Sequence, residues 1–243
     1  MKKTISAISV LVMLVLMSCN DQNSKTTTTD STKAPAADST KAAAEKPKAP
    51  EFKPFDVVEV NHIVKSYEKW KPGFDNDSTA RKASGLELMV IGRRVDNPNH
   101  LNIVLQAADI AKAKAFANDP RLKEVMKKNG VVSKPDIYYY HVIRFNPDSK
   151  EKQWVLITHK VKDFDAWLKV FDITEGTAKR ASFGLVDVAL ARDMEDSSIV
   201  HIVFDITDMT KAKARLSDPE LKKLMTEAGV IGAPKIEFFT TAE

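Results

Sequence analysis

His62 and His159 are the residues in this chain whose type and setting most directly offer chemistry. Each stands late in a Val-rich run, and each is followed eight positions on by a tryptophan, Trp70 and Trp167 (70 − 62, 167 − 159). A neutral imidazole beside a cavity can serve as a general base or as a haem or metal ligand. The alternative is a half-buried histidine bonded to a backbone carbonyl. Strand alternation groups His62 with Val58, Val60 and Val64, and His159 with Val155, Ile157 and Val161. Such a face either lines a lumen or packs under helices, and alternation alone leaves both open. Trp70 and Trp167 are candidates for stacking on a ligand, with core packing as the alternative. Arg93 and Arg192 end matching strands, on the face assigned to Met89 and Ile91 and to Val188 and Leu190. A guanidinium there could clamp an acidic ligand, or it could snorkel to solvent. His201 falls opposite Asn102 of the other half, so its role is not shared. Tyr138, Tyr139, Tyr140 and His141 form a run that could line a cavity, although strands favour aromatics in any case.

Other chemistries lack their residues. No HExxH, GxSxG, phosphate-binding P-loop or GxGxxG in a nucleotide-type βαβ setting occurs. The five histidines lack metal-ligand spacing, and the single cysteine permits neither an internal disulfide nor a thiolate metal site. The expectation is therefore no metal and no cofactor. A net charge of +4, with Lys interleaved among Asp and Glu, gives no basic stripe for nucleic acid.

The chain begins Met1-Lys2-Lys3, runs apolar from Ile5 to Met17, and reaches Leu16-Met17-Ser18-Cys19. This is the layout of a secretory signal, too short to remain as a spanning helix. Its last four residues resemble a bacterial lipobox. The resemblance implies removal of residues 1–18, acylation of Cys19 as the lipid attachment site, and a membrane anchor in the bacterial cell envelope. Asn20 resembles outer-membrane sorting. Residues 19–54, rich in Ser, Thr, Lys, Ala and Pro, bury too little to offset the entropy of ordering, which predicts a disordered tether.

The rest is written twice. His62, Val64, Tyr67, Trp70, Phe74 and Asp75 match His159, Val161, Phe164, Trp167, Phe171 and Asp172. Arg81-Lys82-Ala83-Ser84 reads against Lys179-Arg180-Ala181-Ser182, an offset of 98 (179 − 81). From Gly85 and Gly184 onward the offset is 99 (184 − 85), through Asp119-Pro120 and Asp218-Pro219 to Ile137 and Ile236. Such density implies tandem duplication. Each half predicts β-α-β-β-α-β, at residues 55–145 and 152–241. This is the ferredoxin-like order, with both helices on one sheet face. One copy leaves its other face bare, and a second copy can cover it. The expected fold class is α+β: two tandem ferredoxin-like units packed sheet to sheet as an intramolecular barrel, hence a monomer that imitates a dimer.

Each unit resembles the dimeric α+β barrel superfamily, which includes antibiotic-biosynthesis-monooxygenase-like domains. The likeness rests on element order and on His62…Trp70, Asp109, Asp119-Pro120 and Gly130-Val131, with their second-unit partners. It implies a small-molecule ligand between the sheets, or cofactor-free oxygenation or isomerisation of a phenolic or quinol-like compound with His62 or His159 as base. A protein-interaction module is the third expectation. Haem-degrading relatives use an Asn-Trp-His set. Here Asn61 lies on the first strand, but the third strand offers no Trp and the second helix no His.

Overall fold

The computed structural model of the chain describes residues 52–242. The expected signal, Cys19 and the tether up to residue 51 lie outside the described residues. The first half supplies β1 (Phe55–Ile63), α1 (Tyr67–Asn76), α2 (Ser78–Ala83), β2 (Leu86–Arg94), β3 (His100–Ala107), α3 (Ile110–Ala117), α4 (Pro120–Lys128) and β4 (Asp136–Phe145). The second supplies β5 (Gln153–Val161), α5 (Phe164–Lys169), a π-helical turn (Val170–Thr174), α6 (Thr177–Ser182), β6 (Leu185–Asp193), β7 (Ile199–Ile206), α7 (Met209–Leu216), α8 (Pro219–Glu227) and β8 (Val230–Thr241).

Short polar residues start the helices by capping the first free N–H groups. Asp109, Asp163 and Asp208 accept from Lys112 N (3.1 Å), Ala166 N (2.7 Å) and Lys211 N (3.0 Å). Asp119 and Asp218 do the same ahead of Pro120 and Pro219, where a missing N–H leaves no bond unmade. Gly130 and Gly229 stop those helices at φ of 87° and 96°, a region that penalises a Cβ.

The eight strands close in the order β1-β3-β2-β8-β5-β7-β6-β4. Each unit thus has the ferredoxin-like order, β4-β1-β3-β2 and β8-β5-β7-β6. The expected α+β barrel is the observed one, with one addition. The sheets also bond edge to edge, Gly92 against Thr241 in one seam and Val142 against Ala191 in the other. Every edge is paired, which removes the open strand that an isolated unit would expose. The helices cover the outside. Val58, Val60, Leu101 and Ile103 pack under the first set, and Val155, Ile157, Val200 and Ile202 under the second.

Two details of the sequence reading are corrected. Arg81 matches Arg180, at offset 99, not Lys179 at 98. Arg81 Nη1 donates to Phe74 O (2.6 Å) and lies over the Phe74 ring, as Arg180 Nη1 donates to Phe171 O (2.5 Å) and lies over the Phe171 ring. The two extra residues fall in the π-helical turn and the Glu175-Gly176 step after it; a π-turn is how a helix absorbs an insertion. Secondly, Met89 and Ile91 do not share a face, nor do Val188 and Leu190. A β-bulge interrupts β2 between Leu88 and Val90, and β6 between Asp187 and Ala189. It turns Met89 and Val90 together into the barrel and leaves Ile91 under the helices.

Candidate functional site: the barrel lumen

Between the two sheets lies a cavity of about 490 Å³, within the range of small-molecule sites. Its walls follow from strand alternation. With Val58 and Val60 turned to the helices, Val57 and Glu59 must face inward, as must Trp154 and Leu156 on β5. Val104, Val142 and Val203 complete an apolar wall, and the linker residues Ser149 to Lys152 stand at its rim.

Polar groups converge at the inner end. Asn61 Nδ2 donates to Glu59 Oε1 (2.8 Å), and Asn102 Nδ2 donates to Asn61 Oδ1 (3.0 Å). All three side chains are buried. Asn102 Oδ1 has no hydrogen-bond partner among the described residues, nor has Trp154 Nε1. An unmade buried bond is costly, and a ligand group or water is the usual remedy. Burial pushes the Glu59 carboxyl up, toward its neutral, donating form, and the bonds from Asn61 and Asn102 oppose this. On the other side of the floor, His201 Nδ1 sits 2.9 Å from Thr158 Oγ1, and its ring centroid is 3.7 Å from that of Tyr140. Burial lowers the His201 imidazole to about 3, so the ring is neutral. The floor therefore presents a carboxyl group, two amides and a neutral imidazole beside apolar walls.

The candidates drawn from the sequence lie elsewhere. His62 and His159 are on the outer, helix-covered face. Each ring stands edge-on to its tryptophan, His62 at 5.7 Å from Trp70 and His159 at 5.3 Å from Trp167. Burial lowers both imidazoles to about 4. Neither nitrogen of His62, nor Nε2 of His159, has a partner among the described residues, so the carbonyl-bonded alternative is not met at those atoms. Trp70 and Trp167 are buried and stack on Phe74 and Phe171 (4.7 and 5.0 Å between centroids). Arg93 and Arg192 fasten loops. Arg93 Nε donates to Pro98 O (2.8 Å) and its guanidinium covers Tyr67; Arg192 Nε donates to Ser197 O (2.9 Å) and covers Phe164. The structure thus brings each His together with its Trp, and each Arg with a hairpin turn and an aromatic of the first helix, all outside the lumen.

Sequence reading missed Glu59, Thr158 and Trp154, and passed over His201 because its partner position holds Asn102. A signal existed: Glu59 and Asn61 are polar at alternate positions of a strand whose other face is apolar.

No protein-family model matches this chain, and no curated protein matches it. Solved structures do. A candidate monooxygenase from Lactobacillus acidophilus NCFM aligns at TM-score 0.50 and 10% identity, over 77% of this chain and 94% of its own. Another from Fusobacterium nucleatum aligns at 0.51 and 12%, over 78% and 93%. An anthrone oxidase-like protein aligns at 0.51 and 13%, over 78% and 92%. These likenesses show a shared fold.

Proposed function

We propose that the lumen binds one small, neutral, largely apolar organic molecule carrying a hydroxyl or carbonyl group. The observation that carries this reading is the chamber of about 490 Å³ ending on Glu59, Asn102 and His201, with Asn102 Oδ1 unpaired among the described residues. An anionic group at that end would meet a buried carboxyl group, whereas the other charged residues of the lining, Lys150, Glu151, Lys152 and Asp205, stand at the linker end. Planar phenols, ketones and quinones fit the constraints. One structural neighbour is described as anthrone oxidase-like, and an anthrone is a planar aromatic ketone. Thermal unfolding of the full chain against a set of neutral phenols, ketones and quinones tests the reading. A saturable rise in Tm with at least one compound is expected, and a flat response across the set would sink it.

A second reading makes the lumen a cofactor-free oxygenase or isomerase site. Its observation is the His201 imidazole held by Thr158, in place of His62 or His159 as base. A pKa lowered to about 3 makes that ring a weak proton acceptor, which is why binding ranks first. If turnover of a phenolic compound is found, His201→Gln should abolish it while His62→Phe should not.

We further propose that Cys19 carries the lipid anchor and that the segment to residue 54 acts as a tether at the bacterial envelope, in line with the lipobox-like LMSC sequence. Labelling cells with an alkyne fatty acid tests it: the label should be lost in Cys19→Ala.

A further inference from the structure

The linker between the two units lies across one end of the lumen, where β1 and β5 begin and β4 and β8 finish. It runs from Phe145 of β4 to Gln153 of β5. β6 and β7 stand between those strands in the barrel, so the span is three strand spacings, about 14 Å. Eight extended Cα steps (153 − 145) reach about 26 Å. The linker therefore has slack. It does not loop away into solvent, because Pro147, Ser149, Lys150, Glu151 and Lys152 all line the lumen.

Both ends of the linker are fixed through the backbone. Asn146 N donates to Val188 O (2.7 Å), which prolongs the β4–β6 ladder, and Thr241 N donates to Lys152 O (2.7 Å). Between them, Asp148 N is satisfied inside the linker, by Asn146 Oδ1 (3.0 Å), and Pro147 has no N–H to offer the wall. Ser149 does reach the wall. Its hydroxyl stands 2.9 Å from Asp205 Oδ1 and 2.8 Å from Oδ2. Asp205 lines the lumen near the end of β7 and is only 5% exposed. The repeat does not supply this pair. Ser149 corresponds to Phe52 (149 − 97) and Asp205 to Gln106 (205 − 99), which is exposed. Phe52 leans on Phe55 instead, at 6.1 Å between ring centroids.

We propose that residues 147–151 are a strap that gates the lumen, with Ser149 and Asp205 as its latch. A molecule enters or leaves when the hydroxyl releases the carboxylate and the slack segment swings outward. The latch closes over the empty and the filled barrel alike, so it sets rates and leaves affinity unchanged. The gate rests on the reading of the lumen as a binding site.

Stopped-flow quenching of indole emission by 2,3-dimethyl-1,4-naphthoquinone, with the full chain, measures both rate constants. In Ser149→Ala, association and dissociation should each quicken about fivefold to tenfold, the share of one hydrogen bond, with Kd kept within about twofold. Ser149→Thr keeps the hydroxyl and should restore the slow rates. Asp205→Asn offers the hydroxyl a neutral acceptor and should quicken both steps by a smaller factor. Unchanged rates in Ser149→Ala, with saturable quenching still present, would overturn the gate and leave the lumen reading standing. Faster dissociation alone, with a weaker Kd, would make Ser149 a contact of the ligand and overturn the gate as well. If the unaltered chain shows no saturable quenching that depends on Trp154, the lumen reading fails and the gate falls with it.

Discussion

The two units share an aromatic and guanidinium frame on the helix side of their sheets and share almost no polar residue on the lumen side. Outside, His62, Trp70, Phe74, Arg81 and Arg93 repeat as His159, Trp167, Phe171, Arg180 and Arg192, with matching ring and guanidinium–aromatic contacts. Inside, Val57 becomes Trp154, Glu59 becomes Leu156, Asn61 becomes Thr158, Asn102 becomes His201 and Tyr140 becomes Phe239. Both copies need the same helix-on-sheet core, so what is written twice is architecture. The lumen is shared by the whole molecule, and one asymmetric chamber has no use for matched halves. A symmetric dimer cannot place Glu59 on one wall and His201 on another without repeating each. A fused chain can.

That contrast can be attacked from its strongest side. Trp167 is fully buried and Trp70 nearly so, and truncating either to Ala should destabilise the fold by about 3–5 kcal/mol, measured by urea unfolding. A loss under 1 kcal/mol would break the assignment of the repeated residues to architecture. The paired histidines give a smaller effect with a defined sign. Their folded pKa values, about 4, lie below the ordinary 6.5, so the unfolded chain binds more protons between those values. Stability should then fall as pH drops from 6.5 toward 4, by about 2–3 kcal/mol for each histidine. His62→Phe should flatten that part of the pH profile, and an unchanged slope would contradict the burial.

Smaller again are the lumen effects. Asn102→Ala or Glu59→Gln should weaken a bound ketone or phenol about tenfold, roughly one hydrogen bond, while His159→Phe leaves lumen affinity unchanged. Gly92→Ala tests shape rather than polarity. A Cβ at Gly92 would run into the Trp154 ring, although Ala191 stands at the matching position of the other unit. The substitution should reduce lumen affinity severalfold through a displaced indole, visible as a shift in tryptophan emission.

The element order and the caps were legible because their signals are local: apolar alternation, Asp before a helix, Gly after it. The closed edges were less so, since β2 with β8 and β4 with β6 pair across units and no local pattern announces it. The bulges at Met89 and Val188 reversed the side-chain count on two strands, so Arg93 and Arg192 share a face with Ile91 and Leu190 and not with Met89 and Val188. The histidines were singled out on a different signal. Pairing in the repeat drew attention to His62 and His159, whereas His201 was set aside for being unpaired.

The central claim is that the ligand sits between the sheets, against Trp154, and not with Trp70 or Trp167 under the helices. A fluorescence titration with 2,3-dimethyl-1,4-naphthoquinone, a neutral quinone that quenches indole, decides it with two samples of the full chain. A saturable quenching component in the unaltered protein that disappears in Trp154→Phe is the expected result. If that component survives undiminished in Trp154→Phe, the ligand lies on the helix side and the lumen is not the site.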